Sequence, residues 1–137
     1  MLLAKDTFVK RIFPFIKYQS PAILWGLFIC LLLFLPGGQL RPYLFLGFIP
    51  QDKIVHFVLF SFFALFNRVG WAKWYRCDYV PKRATRFTFF GSLLFAFFTE
   101  LLQHFAALDR MFSLGDIVAD SLGALFGLFV FQLLYKW

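Results

Sequence analysis

The sequence predicts an all-α polytopic membrane protein with four transmembrane helices and both termini on the cytoplasmic side. Three observations carry this expectation. Hydrophobic residues make up 61% of the chain and charged residues 15%, where soluble domains sit at roughly a half and a quarter. The 23 phenylalanines would overfill any water-soluble core built by 137 residues, and lipid is the solvent that accepts outward-facing rings. The apolar residues fall into helix-length runs that are apolar all round, not into the alternation of barrel strands. Residues 1–137 read as a single domain, with no internal repeat and no low-complexity tract.

The first span is expected at roughly 20–36, stopped by Pro36-Gly37-Gly38. It is short against the roughly 20 residues that cross the hydrocarbon, and Tyr18 and Gln19 extend it into the interface. Residues 40–49 are apolar but broken by Pro42 and Gly47, so an interfacial loop or short re-entrant piece is expected there. The second span is expected at 53–69. Asp52 precedes it as a helix N-cap candidate, able to accept from free backbone N–H groups. Residues 68–86 are polar, basic and aromatic, and the part from Trp71 to Tyr79 reads as an interfacial anchor. The third span is expected at 87–108, a tight connection at 109–113, and the fourth span at 114–135.

Loop charges set the expected orientation. Eleven of the fourteen Lys and Arg residues fall on the side that holds the N-terminus, the middle loop and the C-terminus. Only Arg41, Lys53 and Arg110 fall on the other. The positive-inside rule makes the first side cytoplasmic. The N-terminal basic region is long and Pro36-Gly37-Gly38 lacks a small-x-small cleavage pattern, so an uncleaved first helix is expected rather than a signal peptide. The net charge of +7 raises nucleic-acid binding, but the basic residues lie in blocks between apolar runs and no nucleic-acid motif accompanies them. They read as orientation signals and contacts to anionic lipids. Cys30 and Cys77 have no metal-ligand spacing and lie in different environments, so neither a disulfide nor a zinc site is expected.

Topology then gathers the ionisable residues. Asp52, Lys53 and His56 open the second helix, Glu100, Gln103 and His104 lie near the end of the third, and Asp116 and Asp120 open the fourth. All three positions are outward in this orientation. Glu100 lies about 12 Å below the end of its expected helix and Asp120 about 9 Å below the start of its own. Asp52 and His56 are four apart, Glu100 and His104 four, Asp116 and Asp120 four, so each set shares a helix face. Gly123 and Gly127 continue the stripe of the fourth helix, which allows close helix approach and turns the acids toward protein. A charge at mid-helix costs about 2.5–3.5 kcal/mol on insertion scales, which these off-centre residues carry in part. Lys53, His56 and Arg110 are the available cationic partners, or the carboxyls are protonated. The bland reading makes Asp52 and Asp116 interfacial caps, His104 and Asp109 interface residues, and the whole cluster a set of bonds between helices.

At these residues the chain resembles the VanZ-like family of small bacterial membrane proteins. The resemblance rests on Asp52-Lys53-x-x-His56-Phe57, Glu100-x-x-Gln103, Arg110-x-x-Ser113-x-x-Asp116-Ile117, then Gly123 and Gly127, and covers about residues 50–130. The family usually carries Tyr where this chain has Phe60, and Asn where it has Asp120. It is named for a protein linked to teicoplanin resistance. The resemblance therefore implies a multi-pass protein of the bacterial cytoplasmic (inner) membrane with an envelope role, and supplies no reaction.

The expected function is a polar site at the outer leaflet, formed by Asp52, Lys53, His56, Glu100, Gln103, Arg110, Asp116 and Asp120. It would bind or handle an envelope lipid, a lipid-linked precursor or a glycopeptide-type antibiotic. Lys53 and Arg110 would meet an anionic group, and the others would orient them, bind polar parts or exchange protons. One alternative is a non-enzymatic membrane subunit or assembly factor whose polar cluster is structural. A second is a metal-dependent membrane hydrolase using Asp52, His56, Glu100 and Asp116. No serine–histidine pair or nucleophilic cysteine is evident, and Ser113 is a weak nucleophile candidate, so catalysis is not the leading expectation and no cofactor is expected. The expected partners are membrane lipids, with an envelope precursor or another membrane protein beyond them.

Overall fold

A computed structural model describes residues 2–33, 44–45, 49–75, 81–105 and 113–135. The described residues are helical apart from one two-residue pairing and single residues at helix ends. The elements are α1 (Leu2–Leu33), β1 (Leu44–Phe45), β2 (Ile49–Pro50), α2 (Gln51–Trp74), α3 (Lys82–Phe105) and α4 (Leu114–Leu134). Each helix contains a stretch long and apolar enough to cross a membrane, that of α1 being Phe13–Leu32. The two short strands pair antiparallel, Leu44 with Pro50 and Phe45 with Ile49. They occupy part of the segment expected as an interfacial loop or re-entrant piece.

Several helix ends extend beyond expectation. The first helix starts upstream of residue 20 and runs through Pro14 and Pro21. A proline inside a helix leaves the carbonyl four residues earlier without its N–H donor. At Pro21 that carbonyl belongs to Lys17, and the Ser20 hydroxyl donates to it instead at 2.8 Å. Serine before proline thus repairs the defect that makes Pro21 look like a boundary. Likewise α2 continues five residues past 69 and α3 begins five before 87. Trp71 and Trp74 therefore lie on helix, not loop, and both pack edge-on against Phe15 of α1 at 5.2 and 5.4 Å between ring centroids. Helix α2 begins at Gln51, so Asp52 sits within its first turn and not at the cap.

Side-chain pairs fix the packing directions. Along α1 and α2, Phe15 meets Trp71, Gln19 meets Asn67 and Trp25 meets Leu59, so the two run antiparallel. Phe63 with Phe95 and Asn67 with Thr88 set α2 antiparallel to α3. Lys53 with Asp116 and His56 with Asp120 advance together, so α2 and α4 run parallel. Helix α2 is the centre of the bundle, and its seam with α4 is the most extensive helix–helix contact.

The core is small and the exterior is large and apolar. Ile29, Phe60 and Ala96 are buried together, with Trp25, Leu59, Phe63 and Phe95 around them. The buried face of α3 instead carries Ala84, Thr88, Ser92, Ala96, Thr99, Glu100 and Gln103. Phe87, Phe90, Leu94, Phe97 and Phe98 point out. This inversion follows from the solvent. Lipid gives no hydrophobic drive between helices, so small residues that permit close backbone approach take the interfaces. Buried hydroxyls back-bond within their own helix, Ser61 to the Phe57 carbonyl at 2.6 Å and Ser92 to that of Thr88 at 2.7 Å.

Candidate functional site

The ionisable cluster forms where α2 and α4 begin and α3 ends. Its first part is a two-rung ladder between the parallel helices. Lys53 Nζ donates to Asp116 Oδ1 at 2.7 Å. One turn deeper, His56 Nδ1 and Asp120 Oδ1 are 3.0 Å apart. The rungs form because Lys53 and His56 are three apart on α2 and Asp116 and Asp120 four apart on α4, so both pairs stay on facing stripes. Burial deepens along the ladder: the side chain of Lys53 is 36% exposed, that of Asp116 9%, and that of Asp120 1%. The second oxygen of Asp120 has no hydrogen-bond partner among the described residues.

Helix α3 supplies the third wall. Glu100 and Gln103 are both buried. Glu100 Oε1 accepts the backbone N–H of Ser113 at 2.6 Å. Ser113 is the N-cap of α4, with extended backbone and no side-chain capping bond. Its carbonyl accepts the N–H of Asp116 at 3.1 Å. A carboxylate from a neighbouring helix thus ties down the start of α4, and with it the position of Asp116. His56, Asp116 and Asp120 all lie within electrostatic reach of Glu100. One step further along the seam, Gly123 and Gly127 bring α4 onto the α2 backbone. A Cβ at Gly123 would meet the Phe57 carbonyl oxygen, with Phe57 Cα at 3.1 Å.

The structure thus brings together six of the eight residues expected to form the site, with Gln103 buried one turn along α3 from Glu100. Asp52, Lys53 and His56 come from α2, Glu100 from α3, Asp116 and Asp120 from α4. Arg110 lies outside the described residues, as do Asp109 and Cys77. His104 is exposed, its ring 5.6 Å from that of Phe105. Phe60, the position that sets this chain apart from the tyrosine of the family it resembles, packs in the hydrophobic core.

Two features depend on how the helices pack. Asp52, His56 and Asp116 each offer a ligand atom within 4.8 Å of one another, close enough to share a cation. At the opposite end of α2, Arg68 belongs to the bundle and not to a basic loop. It is buried, its guanidinium 4.7 Å from the Phe131 ring centroid, with Nη1 lacking an acceptor among the described residues. The signal for it is the four-residue stripe His56, Phe60, Ala64, Arg68, Ala72, all buried on one face of α2.

Chemically, the site combines acceptors, a histidine held by a carboxylate, and one partly exposed ammonium. Such a set can bind a polar headgroup, hold a cation or pass a proton. No curated protein and no solved structure matches the chain. The VanZ/LLP1 family profile matches residues 4–135. That match takes in all four membrane-crossing segments and the whole ladder, and the chain belongs to the VanZ/LLP1 family.

Proposed function

We propose that the cluster at the head of α2 and α4 is a headgroup site at the outer leaflet of the bacterial cytoplasmic membrane. It takes an envelope lipid or a lipid-linked precursor. The observation that carries the reading is the burial of His56, Glu100, Gln103, Asp116 and Asp120 from three helices at one end, beside a Lys53 that remains partly exposed. Ionisable groups are costly in a membrane helix and mark functional sites by default. The distribution of Lys and Arg supports the outward placement of this end, with both termini cytoplasmic. Lys53 Nζ carries three N–H donors and spends one on Asp116, so its others are available to an anionic oxygen at the lipid boundary.

Photo-crosslinking in native membranes tests the reading, with a phosphate-bearing lipid probe compared against a zwitterionic one. Labelling of the phosphate probe near residue 53 should fall in Lys53→Gln and in Arg110→Gln. Unchanged labelling in both variants refutes the headgroup site. A glycopeptide-type antibiotic added as competitor asks whether the same site meets that class of molecule.

A second reading has its own observations. Lys53–Asp116, His56–Asp120 and Glu100–Ser113 each join two helices, as expected of a subunit whose polar cluster only holds the bundle. It predicts that Glu100→Gln and Asp120→Asn chiefly lower folded yield. The headgroup reading predicts near-normal yield with a lost envelope phenotype.

A further inference from the structure

We propose that Asp52, His56 and Asp116 form a divalent-cation site of the zinc or manganese class, with Asp120 as the residue that positions His56. The inference deepens the headgroup reading and rests on it for its purpose: a bound cation supplies positive charge that an anionic headgroup needs.

Geometry comes first. The three ligand atoms lie within 4.8 Å of one another. Ligands of one tetrahedral zinc ion, each at about 2.0–2.2 Å, stand about 3.3–3.6 Å apart. A closure of up to about 1.5 Å is required, and Asp52, exposed on the first turn of α2, is the member that must supply it. His56 and Asp116 are buried and already fixed by neighbours. Asp116 Oδ1 takes Lys53, which leaves its second oxygen for the ion.

The second observation is Asp120. It is 1% exposed, one of its oxygens faces His56 Nδ1 at 3.0 Å, and the other has no partner among the described residues. It lies within electrostatic reach of Asp116 and Asp52 as well as His56. A carboxylate that accepts the Nδ1 proton of a histidine leaves Nε2 with its lone pair outward, the arrangement by which metal-binding histidines are oriented. Four carboxylates (Asp52, Glu100, Asp116 and Asp120) converge on the cluster against one ammonium, Lys53, among the described residues, since a histidine that ligates a metal is neutral. A divalent ion offsets two of those negative charges and gives the orphaned oxygen of Asp120 a cationic environment. Two carboxylates and one imidazole form a mixed oxygen–nitrogen set suited to zinc or manganese, and three protein ligands leave a position open for a further oxygen.

The full chain, purified in mild detergent and stripped with a chelator, is titrated with Zn2+ by calorimetry and with Mn2+ by electron paramagnetic resonance. One saturable ion per chain is expected. Asp52→Asn and His56→Gln should each weaken binding by tenfold or more, and Asp120→Asn by about 10–100-fold. The metal-free melting temperature of each variant separates lost ligands from lost fold, and Asp52→Asn, at an exposed position, serves if His56→Gln does not fold. Absence of saturable binding of both ions, or unchanged affinity in well-folded Asp52→Asn, overturns the proposal. The titrations contain no lipid probe, so their failure leaves headgroup labelling standing, whereas metal binding without labelling removes the headgroup reading alone.

Discussion

Alanine at Gly127 should destabilise the bundle more than at any glycine whose neighbours are side chains. A Cβ built there meets the Ser61 carbonyl oxygen well inside van der Waals contact, with the carbonyl carbon at 3.0 Å and the Leu65 nitrogen at 3.2 Å. All three atoms are backbone of α2, so no rotamer can relieve the clash and the two helices must separate. Inserted methyl groups in close-packed interiors cost about 1–3 kcal/mol, and alanine returns up to about 1 kcal/mol through its better helix propensity. The net expectation is a loss of about 1–2 kcal/mol. Gly91 of α3 provides the control, because a Cβ there meets nothing within 4 Å. Gly91→Ala should be neutral or stabilising by up to about 1 kcal/mol. Denaturant titration of both variants in the same mixed micelle measures the difference. A Gly127→Ala protein as stable as wild type, or an equal loss in Gly91→Ala, would refute close α2–α4 approach as the source of stability.

Three other expectations follow from individual buried side chains. Glu100→Ala removes the acceptor for the Ser113 N–H and should cost about 1.5–3 kcal/mol, while Glu100→Gln keeps an acceptor and should cost less than half of that. Exchange of the Ser113 amide should accelerate in the alanine variant only, and acceleration in both would contradict the capping role. Asp120→Leu leaves the buried His56 ring nitrogen without its partner and should destabilise by about 1–3 kcal/mol, with Asp120→Asn milder, as read by unfolding in detergent; equal losses would show that the His56 bond is not what matters. Arg68→Met trades a buried guanidinium with an unused donor for an apolar chain of similar length. Its stability should stay within about 1 kcal/mol of wild type or rise, and a loss above that indicates that Arg68 has an essential partner.

The four spans were legible because composition and run length report the solvent directly. Their ends were less so, for local reasons. Pro21 reads as a stop signal until the Ser20 hydroxyl is seen to take the Lys17 carbonyl. Residues 70–74 and 82–86 read as loop because they are polar or aromatic, yet a helix that leaves the hydrocarbon loses its apolar character without losing its hydrogen bonds. The site was legible to the level of faces: a period of 3.6 residues puts Asp116 over Asp120 and Asp52 over His56. Register between helices is not written in that period. That Lys53 pairs with Asp116 and His56 with Asp120, and not the reverse, depends on how far α2 and α4 are shifted along each other. Glycine contacts set that shift, and nothing in a single helix's pattern reports it.

Packing and polar site are for this reason parts of one arrangement. Gly123 lies three residues after Asp120, and its closest neighbour is Phe57, adjacent to His56. The absent side chain at 123 is therefore what lets the backbones approach at the level of the inner rung and holds His56 and Asp120 at hydrogen-bond distance. Moving along the seam from that rung, the residues change from acids to glycines to Leu128 and Phe131, all on the buried stripe of α4. The small residues bring the helices together, and the polar ones occupy the end where lipid headgroups and water lie near enough to share their solvation. A cluster placed deeper would bear the full cost of charge in hydrocarbon; one placed further out would not be held by the glycine contacts. The position of the ladder, one turn beyond the glycines, meets both requirements, which is why the residues that tie the bundle together can also be the ones that meet a ligand.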